Sequence, residues 1–454
     1  MLIFLKLVVD VEMLSRLRNQ RIRKANGLVT NITLDETLRP LWKLTHYSGI
    51  LLDWCFPISS SNPSRILKVL RYSLIALSFS LLVALTSFEL IQLLIGIEKA
   101  PNIHAIIPNM VWFFPLLLAT AIQVLCIRRR SEFLSFFKDW RQLEVEIAHL
   151  NPNCIMCKSK KMHLTMYAIY VIITIASVFA LGMDIFNNPE SSYLISTYPA
   201  VRDVVPLLVI GSVQLTSIVL IWIFTSLGDF IPSFTYYHTA LAVSCLENDV
   251  RAIFDKGKDA DDSFILSRLS LLASKLDPLK KSLSTELATW QLDVPILRIW
   301  TRFENIGKMV SRADFLFGSF VVYSHAGAIF FITALVYSVL YNLGDALKLR
   351  SVGPVLSYSL NLLAIVFRFF STMIISSQLH QSVGKFRTAL NDLLSKHWNR
   401  MTKGDRDLLR SFLWRLQSDP LVAHPLGVYK VTPSVLLSVL GVVVSYVIVL
   451  LQSK

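Results

Sequence analysis

From Val431 to Lys454 the chain reads VTPSVLLSVLGVVVSYVIVLLQSK, with no charge between Pro433 and Gln452. At ~1.5 Å per residue, a helix over that stretch matches a hydrocarbon layer ~30 Å thick. Inside such a layer every backbone N–H and C=O must be satisfied by the segment itself, which here means a helix. Pro433 suits its first turn, where a missing N–H costs nothing.

This terminal helix is not uniformly apolar. Ser434, Ser438, Gly441, Ser445, Val449 and Gln452 recur at steps of three or four, which is one helical face. Two readings stay open from the spacing. Gly441 and Ser445 form a small-xxx-small pair that lets another helix pack close. Alternatively, the stripe lines a wet path through the membrane, with Val449 and Gln452 near its narrow end.

Windows of the same kind recur. Hydrophobic residues make up 54% of the chain and mean hydropathy is +0.54, above the usual share of apolar residues in soluble domains. Spans are expected at 67–95, 106–127, 164–183, 204–224, 315–341, 352–377 and 431–454. The expected fold is therefore all-α: a polytopic membrane protein with seven transmembrane helices. No soluble catalytic domain is expected. The opening MLIFLKLVVDVEML is broken by Lys6, Asp10 and Glu12 and is not read as a signal peptide. The halves show no internal repeat, which argues against an inverted-repeat transporter.

Charge sets the expected orientation. Among the 45 Lys and Arg residues, Arg368 lies within a span, and Lys99, Arg202, Lys348, Arg350 and Lys454 fall on one side. All the others fall on the opposite side, which the positive-inside rule makes cytoplasmic. The N-terminus is thus expected inside and the C-terminus outside. The net charge of +14 then belongs to loops at a lipid surface, not to a nucleic-acid site. The expected divisions are a cytoplasmic N-terminal segment, 1–66, and six transmembrane helices, 67–377, with a ligand pocket and a long cytoplasmic helical extension at 229–314, where the fourth span continues as a helix past Asp229 and Pro232. Cytoplasmic anchor helices follow at 378–430, then the last span at 431–454. Two patterns mark cytoplasmic helices: Phe264, Leu266, Leu269, Leu272 and Leu276, and Leu408, Leu409, Phe412, Leu413 and Leu416.

Few residues suggest chemistry. No phosphate loop, nucleophile elbow or metal-ligand cluster is present, so neither an enzyme nor a cofactor is expected. Cys154 and Cys157, near His149 and His163, make only half a zinc site. None of the five cysteines falls in a segment placed outside, so no structural disulfide is expected. Arg368 is the most expensive residue, since a central Arg costs ~2.5–3.5 kcal/mol on insertion scales. No acidic residue stands out as its partner. With Arg368, the residues Trp112, Phe113, Gln214, His325, Phe330, Tyr358 and Asn361 could line an outward-facing pocket with apolar walls and a few polar groups.

Ser445-Tyr446, five apolar residues and Gln452 resemble the signature that ends the last span of arthropod gustatory receptors. That signature is Thr-Tyr, five hydrophobic residues and Gln-Phe; here Ser445 replaces the Thr and Ser453 the Phe. The run 436–441 into the motif, the seven spans, the inside N-terminus and the long segment after the fourth span are also similar. The stretch 224–234, with Asp229, resembles the inner end of the fourth span in sugar-type members. The resemblance implies a plasma-membrane ligand-gated cation channel opened by a small-molecule tastant, assembled as a homo- or heterotetramer. Ser438, Ser445, Tyr446, Val449 and Gln452 would then form the pore and gate, with Tyr446 packed behind the gate. The anchor helices would join the subunits. Related odorant receptors share this architecture. A G-protein-linked receptor is the rival class, but it would carry its N-terminus outside.

Overall fold

A computed structural model describes residues 65–99, 107–148, 206–259, 293–349, 353–396 and 401–452, together with Trp398 and scattered positions between 165 and 182. Segment 1–64, the Phe264–Leu276 pattern, Cys154, Cys157 and the adjacent histidines lie outside the described residues.

Among the described residues there are helices and no strands. We number them α1 (Arg65–Lys99), α2 (Ile107–Arg128), α3 (Arg130–Ala148), α4 (Leu207–Asp259), α5 (Asp293–Leu349), α6 (Gly353–Lys396), α7 (Lys403–Ser418) and α8 (Pro433–Gln452). Helices α1, α4, α5, α6 and α8 are long and apolar enough to cross a membrane. Shorter apolar stretches, Phe113–Arg128 and Val171–Ala180, occupy the positions expected for the second and third spans. The chain is an all-α, multi-pass membrane protein.

Several spans outrun their hydropathy. Helix α4 has 53 residues, α5 has 57 and α6 has 44, lengths of roughly 80, 86 and 66 Å. A ~30 Å hydrocarbon layer holds under half of each, so the remainder forms a helical extension beyond it. The continuity of α4 through Pro232 is notable, because a proline removes one backbone hydrogen bond. Around it, Ser233 donates to the Asp229 carbonyl at 2.7 Å and Thr235 to that of Ile231 at 2.8 Å.

Contacts fix the relative directions. Thr86 pairs with Thr120 at 2.9 Å and Gln123 donates to Ser78 at 3.2 Å, so α1 and α2 are antiparallel. Tyr236 donates to Asp314 at 2.6 Å and Ser324 donates to Asp229, so α4 and α5 are antiparallel. Ser376 donates to Ser233 at 3.2 Å and Ser244 to Ser382 at 3.3 Å, so α4 and α6 run in the same direction. This up-and-down order is the one that consecutive spans require. Helix α4 is the axis of the bundle: 83% of its apolar window is buried, against 17% for α8.

Beyond the spans, α5, α6 and α7 meet in an aromatic cluster. Trp300 stacks on Phe412 at 5.0 Å, and Phe303 stacks on Phe386 at 5.7 Å. Helix α7 buries Leu409, Phe412, Leu413 and Leu416, as its periodicity predicts. Its N-terminus is closed by a capping box, with Asp405 N donating to Thr402 Oγ1 at 3.2 Å and Thr402 N to Asp405 Oδ2 at 3.2 Å. Asp405 is buried, four residues before Leu409 on the same stripe of α7. Helix α3 has no counterpart among the expected elements. It buries Phe133, Phe136, Phe137, Trp140 and Leu143 at helical spacing. Cys245, buried on α4, is disulfide-bonded; this corrects the expectation of no disulfide.

Phe412 is fully buried among three rings. Phe412→Ala should cost about 3–5 kcal/mol, read as an earlier thermal transition of the detergent-purified protein. Ala in place of the exposed Trp414 should leave that transition in place.

Candidate functional site

Helix α4 presents Trp222, Thr225 and Asp229 at steps of three and four, which is one face. Arg368 of α6 meets that face. Its Nε lies 2.6 Å from Asp229 Oδ2 and its Nη1 donates to Thr225 Oγ1 at 2.6 Å. Its guanidinium lies 5.5 Å from the Trp222 ring centroid. Ser324 of α5 donates to the other carboxylate oxygen of Asp229. The Arg368 and Asp229 side chains are only 5% and 3% exposed.

Arg368 thus has the acidic partner that sequence reading did not find. That reading took α4 to leave the membrane at Asp229. A usable signal was nevertheless present. Asp229 is the lone Asp, Glu, Lys or Arg between Asp203 and Glu247, and Arg368 is the lone one between Arg350 and Lys385. Two solitary opposite charges on neighbouring apolar helices have strong reason to meet, since either alone carries its full desolvation cost.

His325, next to Ser324, is hydrogen-bonded through Nδ1 to the phenol of Tyr429 and sits edge-on to Phe369 at 5.3 Å. Burial, and then the negative charge of Asp229, raise the pKa of Tyr429. The phenol therefore keeps its proton, and the imidazole tautomer sets which of the two groups donates. Tyr429 lies four residues before α8, so the buried charges sit level with the start of that helix.

The expected pocket residues separate into two groups. His325 and Arg368 belong to this inner cluster. Phe113, Phe330, Tyr358 and Asn361 lie elsewhere. Phe113 meets Phe114 at 5.5 Å, and Phe114 meets Phe330 at 4.8 Å, joining α2 to α5. Tyr358 and Asn361 are half-buried near the start of α6. The side chains of Trp112 and Gln214 lie outside the described residues.

Helix α8 rests on the bundle through Val443 and Val447, with Val435, Leu436 and Val439 half-buried beside them. Near its end, Leu450 packs against Ala334 and Tyr337 of α5. Ser434, Ser438, Gly441, Ser445, Val449 and Gln452 are all exposed. Ser438 and Ser445 return their hydroxyls to the carbonyls of Ser434 at 3.3 Å and Gly441 at 2.8 Å. A Cβ at Gly441 would meet nothing within 4 Å. The small residues therefore do not serve packing within the chain. Tyr446, 61% exposed, is likewise not packed within its own chain.

A bundle of this kind, with a buried ionic centre and an apolar terminal helix whose small-polar face is exposed, defines a polytopic helical membrane protein. The sequence matches the family described as 7tm Chemosensory receptor over residues 38–454. The chain belongs to that family, a family of receptors and not of enzymes. Comparison with curated proteins found no match. The fold is similar to the insect olfactory receptor OR5 from Machilis hrabei in complex with eugenol. The TM-score is 0.60 at 14% identity, over 93% of this chain and 99% of that one. A second OR5 structure from the same insect gives a TM-score of 0.57 at 14% identity, over 92% and 98%.

Removing one charge of the buried pair strands the other. Arg368→Leu and Asp229→Asn should each destabilise the purified protein by about 3–5 kcal/mol. The double variant should lose less than the sum. Thermal melts arranged as a double-mutant cycle check this, and additive losses would mean that the two groups do not act together.

Proposed function

We propose that this chain is a chemosensory receptor of gustatory type, acting as a ligand-gated, non-selective cation channel of the plasma membrane. Its N-terminus lies inside, and four subunits, alike or mixed, assemble around α8 and through the anchor helices of 378–430. The observation that carries the reading is the exposed face of α8. Five small or polar positions, with Val449 among them on the same face of a membrane-length helix, suit a surface that meets water and other subunits better than one that meets lipid. Ser438 and Ser445 would line the pore, and Val449 and Gln452 would narrow it, with Tyr446 against a neighbouring subunit. Family membership and the OR5-like fold support the chemoreceptor class; OR5 itself is described with eugenol bound.

The tastant would sit between α2, α5 and α6, near Phe113, Phe330, Tyr358 and Asn361, with Trp112 and Gln214 as further wall residues. Arg368 and His325 would act below it. A tastant opens the channel only by binding the open arrangement better than the closed one. Gustatory rather than odorant use rests on the Ser445-Tyr446…Gln452 signature.

Val449→Ala and Gln452→Ala should each change unitary conductance or cation selectivity, in currents recorded from cells expressing this chain with sugars and other small neutral molecules as probes. Wild-type permeation in both variants would remove them from the gate. An N-terminal tag reached from outside intact cells would favour the G-protein-linked alternative.

A further inference from the structure

Between α7 and α8 the chain reads DPLVAHPLGVYKVT. Pro420 follows the end of α7 and Pro425 forces His424 out of the helical region. The result is a closed loop. Gly427 N donates to the His424 carbonyl at 3.0 Å, Val428 N to that of Pro425 at 3.0 Å, and Val431 N to that of Ala423 at 2.9 Å. Leu426 and Gly427 both take left-handed backbone, with φ of 49° and 71°. For Leu426 this is strained, and strain of that kind persists only where surrounding contacts hold it.

Those contacts come from one stripe of α5: Asp314, Gly318 and His325, set over three helical turns. Asp314 Oδ1 accepts from His424 N at 3.1 Å while also accepting from Tyr236 of α4. Gly318 lies directly under the left-handed turn, and a Cβ there would stand 2.6 Å from Leu426 N and 3.2 Å from the Pro425 carbonyl carbon. His325 takes the Tyr429 phenol. The neighbour of His325, Ser324, is bonded to Asp229 of the buried ion pair.

We infer that residues 419–432 are a latch, docked on the Asp314–Gly318–His325 stripe, that positions the base of α8 and holds it in its resting arrangement. The proposal rests on the channel reading. Tyr429 and Gly318 are positioning residues in it. Movement among α4, α5 and α6 reaches α8 through the bond between His325 and Tyr429, and the left-handed turn can come off α5 without unfolding either helix.

The test uses the full chain in lipid nanodiscs for hydrogen exchange and in planar bilayers for sodium current with no tastant added. Gly318→Ala pushes on backbone yet favours the α5 helix; Tyr429→Phe keeps the ring and removes the hydroxyl. Both should speed amide exchange at 423–431 by about tenfold while α4 and α6 keep their protection. Both should raise resting sodium current without altering conductance or selectivity. His325→Phe should add nothing to Tyr429→Phe. Unchanged exchange at 423–431 in both variants overturns the docking, and faster exchange with wild-type resting current overturns the positioning role. A wild type that carries no sodium current defeats the channel reading and the gating role with it, while exchange still decides whether the loop is docked. Should Gly318→Ala fail to fold, Tyr429→Phe decides alone.

Discussion

The bundle is organised around one ion pair. Arg368 and Asp229 are each the solitary full charge on a long apolar stretch, and each is almost completely buried. A buried pair need not add net stability, because desolvation can offset the attraction. Its strength lies in what it forbids. Sliding α6 by one turn along α4 would separate the charges and also the Ser233–Ser376 contact, leaving both charges without compensation in a low-dielectric interior. Hydrophobic surfaces in lipid offer little resistance to such a slip, since lipid chains are as apolar as the helices themselves. Register between α4 and α6 therefore rests on polar groups. Thr225, Trp222 and Ser324 complete the shell that makes the pair tolerable.

This explains what could be read from the sequence and what could not. Membrane helices announce themselves by runs of apolar residues, so α1, α2 and α8 begin and end close to where hydropathy puts them, and α6 begins there. The amphipathic α7 was legible from its period, with Leu409, Phe412, Leu413 and Leu416 on one face. For α4, α5 and α6 hydropathy marked the spans alone, because it reports where lipid ends and not where a helix ends. Asp229 therefore looked like an exit from the membrane, and its role as partner to Arg368 was hidden. Pairing between distant segments leaves no local pattern, only the coincidence of two lone charges. Helix α3 was missed because its buried face of Phe and Trp is interleaved with charge. Between α2 and α3, Arg129 donates to the Phe315 carbonyl at 2.8 Å and lies 4.7 Å from that ring's centroid.

The small-residue stripe of α8 stands between these cases. Its periodicity was plain, but periodicity says only that six residues share a face. Val443 and Val447 turn toward the bundle, while the small residues and much of the apolar surface, Leu437 and Val444 included, stay exposed, so the stripe does not serve packing within this chain. Gly318 is the opposite case. Nothing in its neighbourhood marks it in the sequence, and its significance appears only when the backbone of Leu426 is placed against it.

Helix α5 touches every part of this arrangement. Along one rod, Asp314, Gly318 and His325 meet the loop before α8, Ser324 meets the ionic centre, and Phe330 meets the aromatic ring of α2. Farther on, Ala334 and Tyr337 hold Leu450 at the far end of α8. Helices α5 and α8 thus run side by side, fixed at both ends and with Val443 and Val447 between. A rigid helix fixed at two points to a second one cannot shift along its axis without dragging or releasing it. On the channel reading, a molecule seated near Phe330 need not touch α8 to move it. Displacing α5 by a fraction of a turn would load the Leu450 contact and the Tyr429 bond together. Whichever gives first sets where α8 pivots. The Tyr429 end has the strained left-handed turn beside it, so it is the contact with least to lose by letting go.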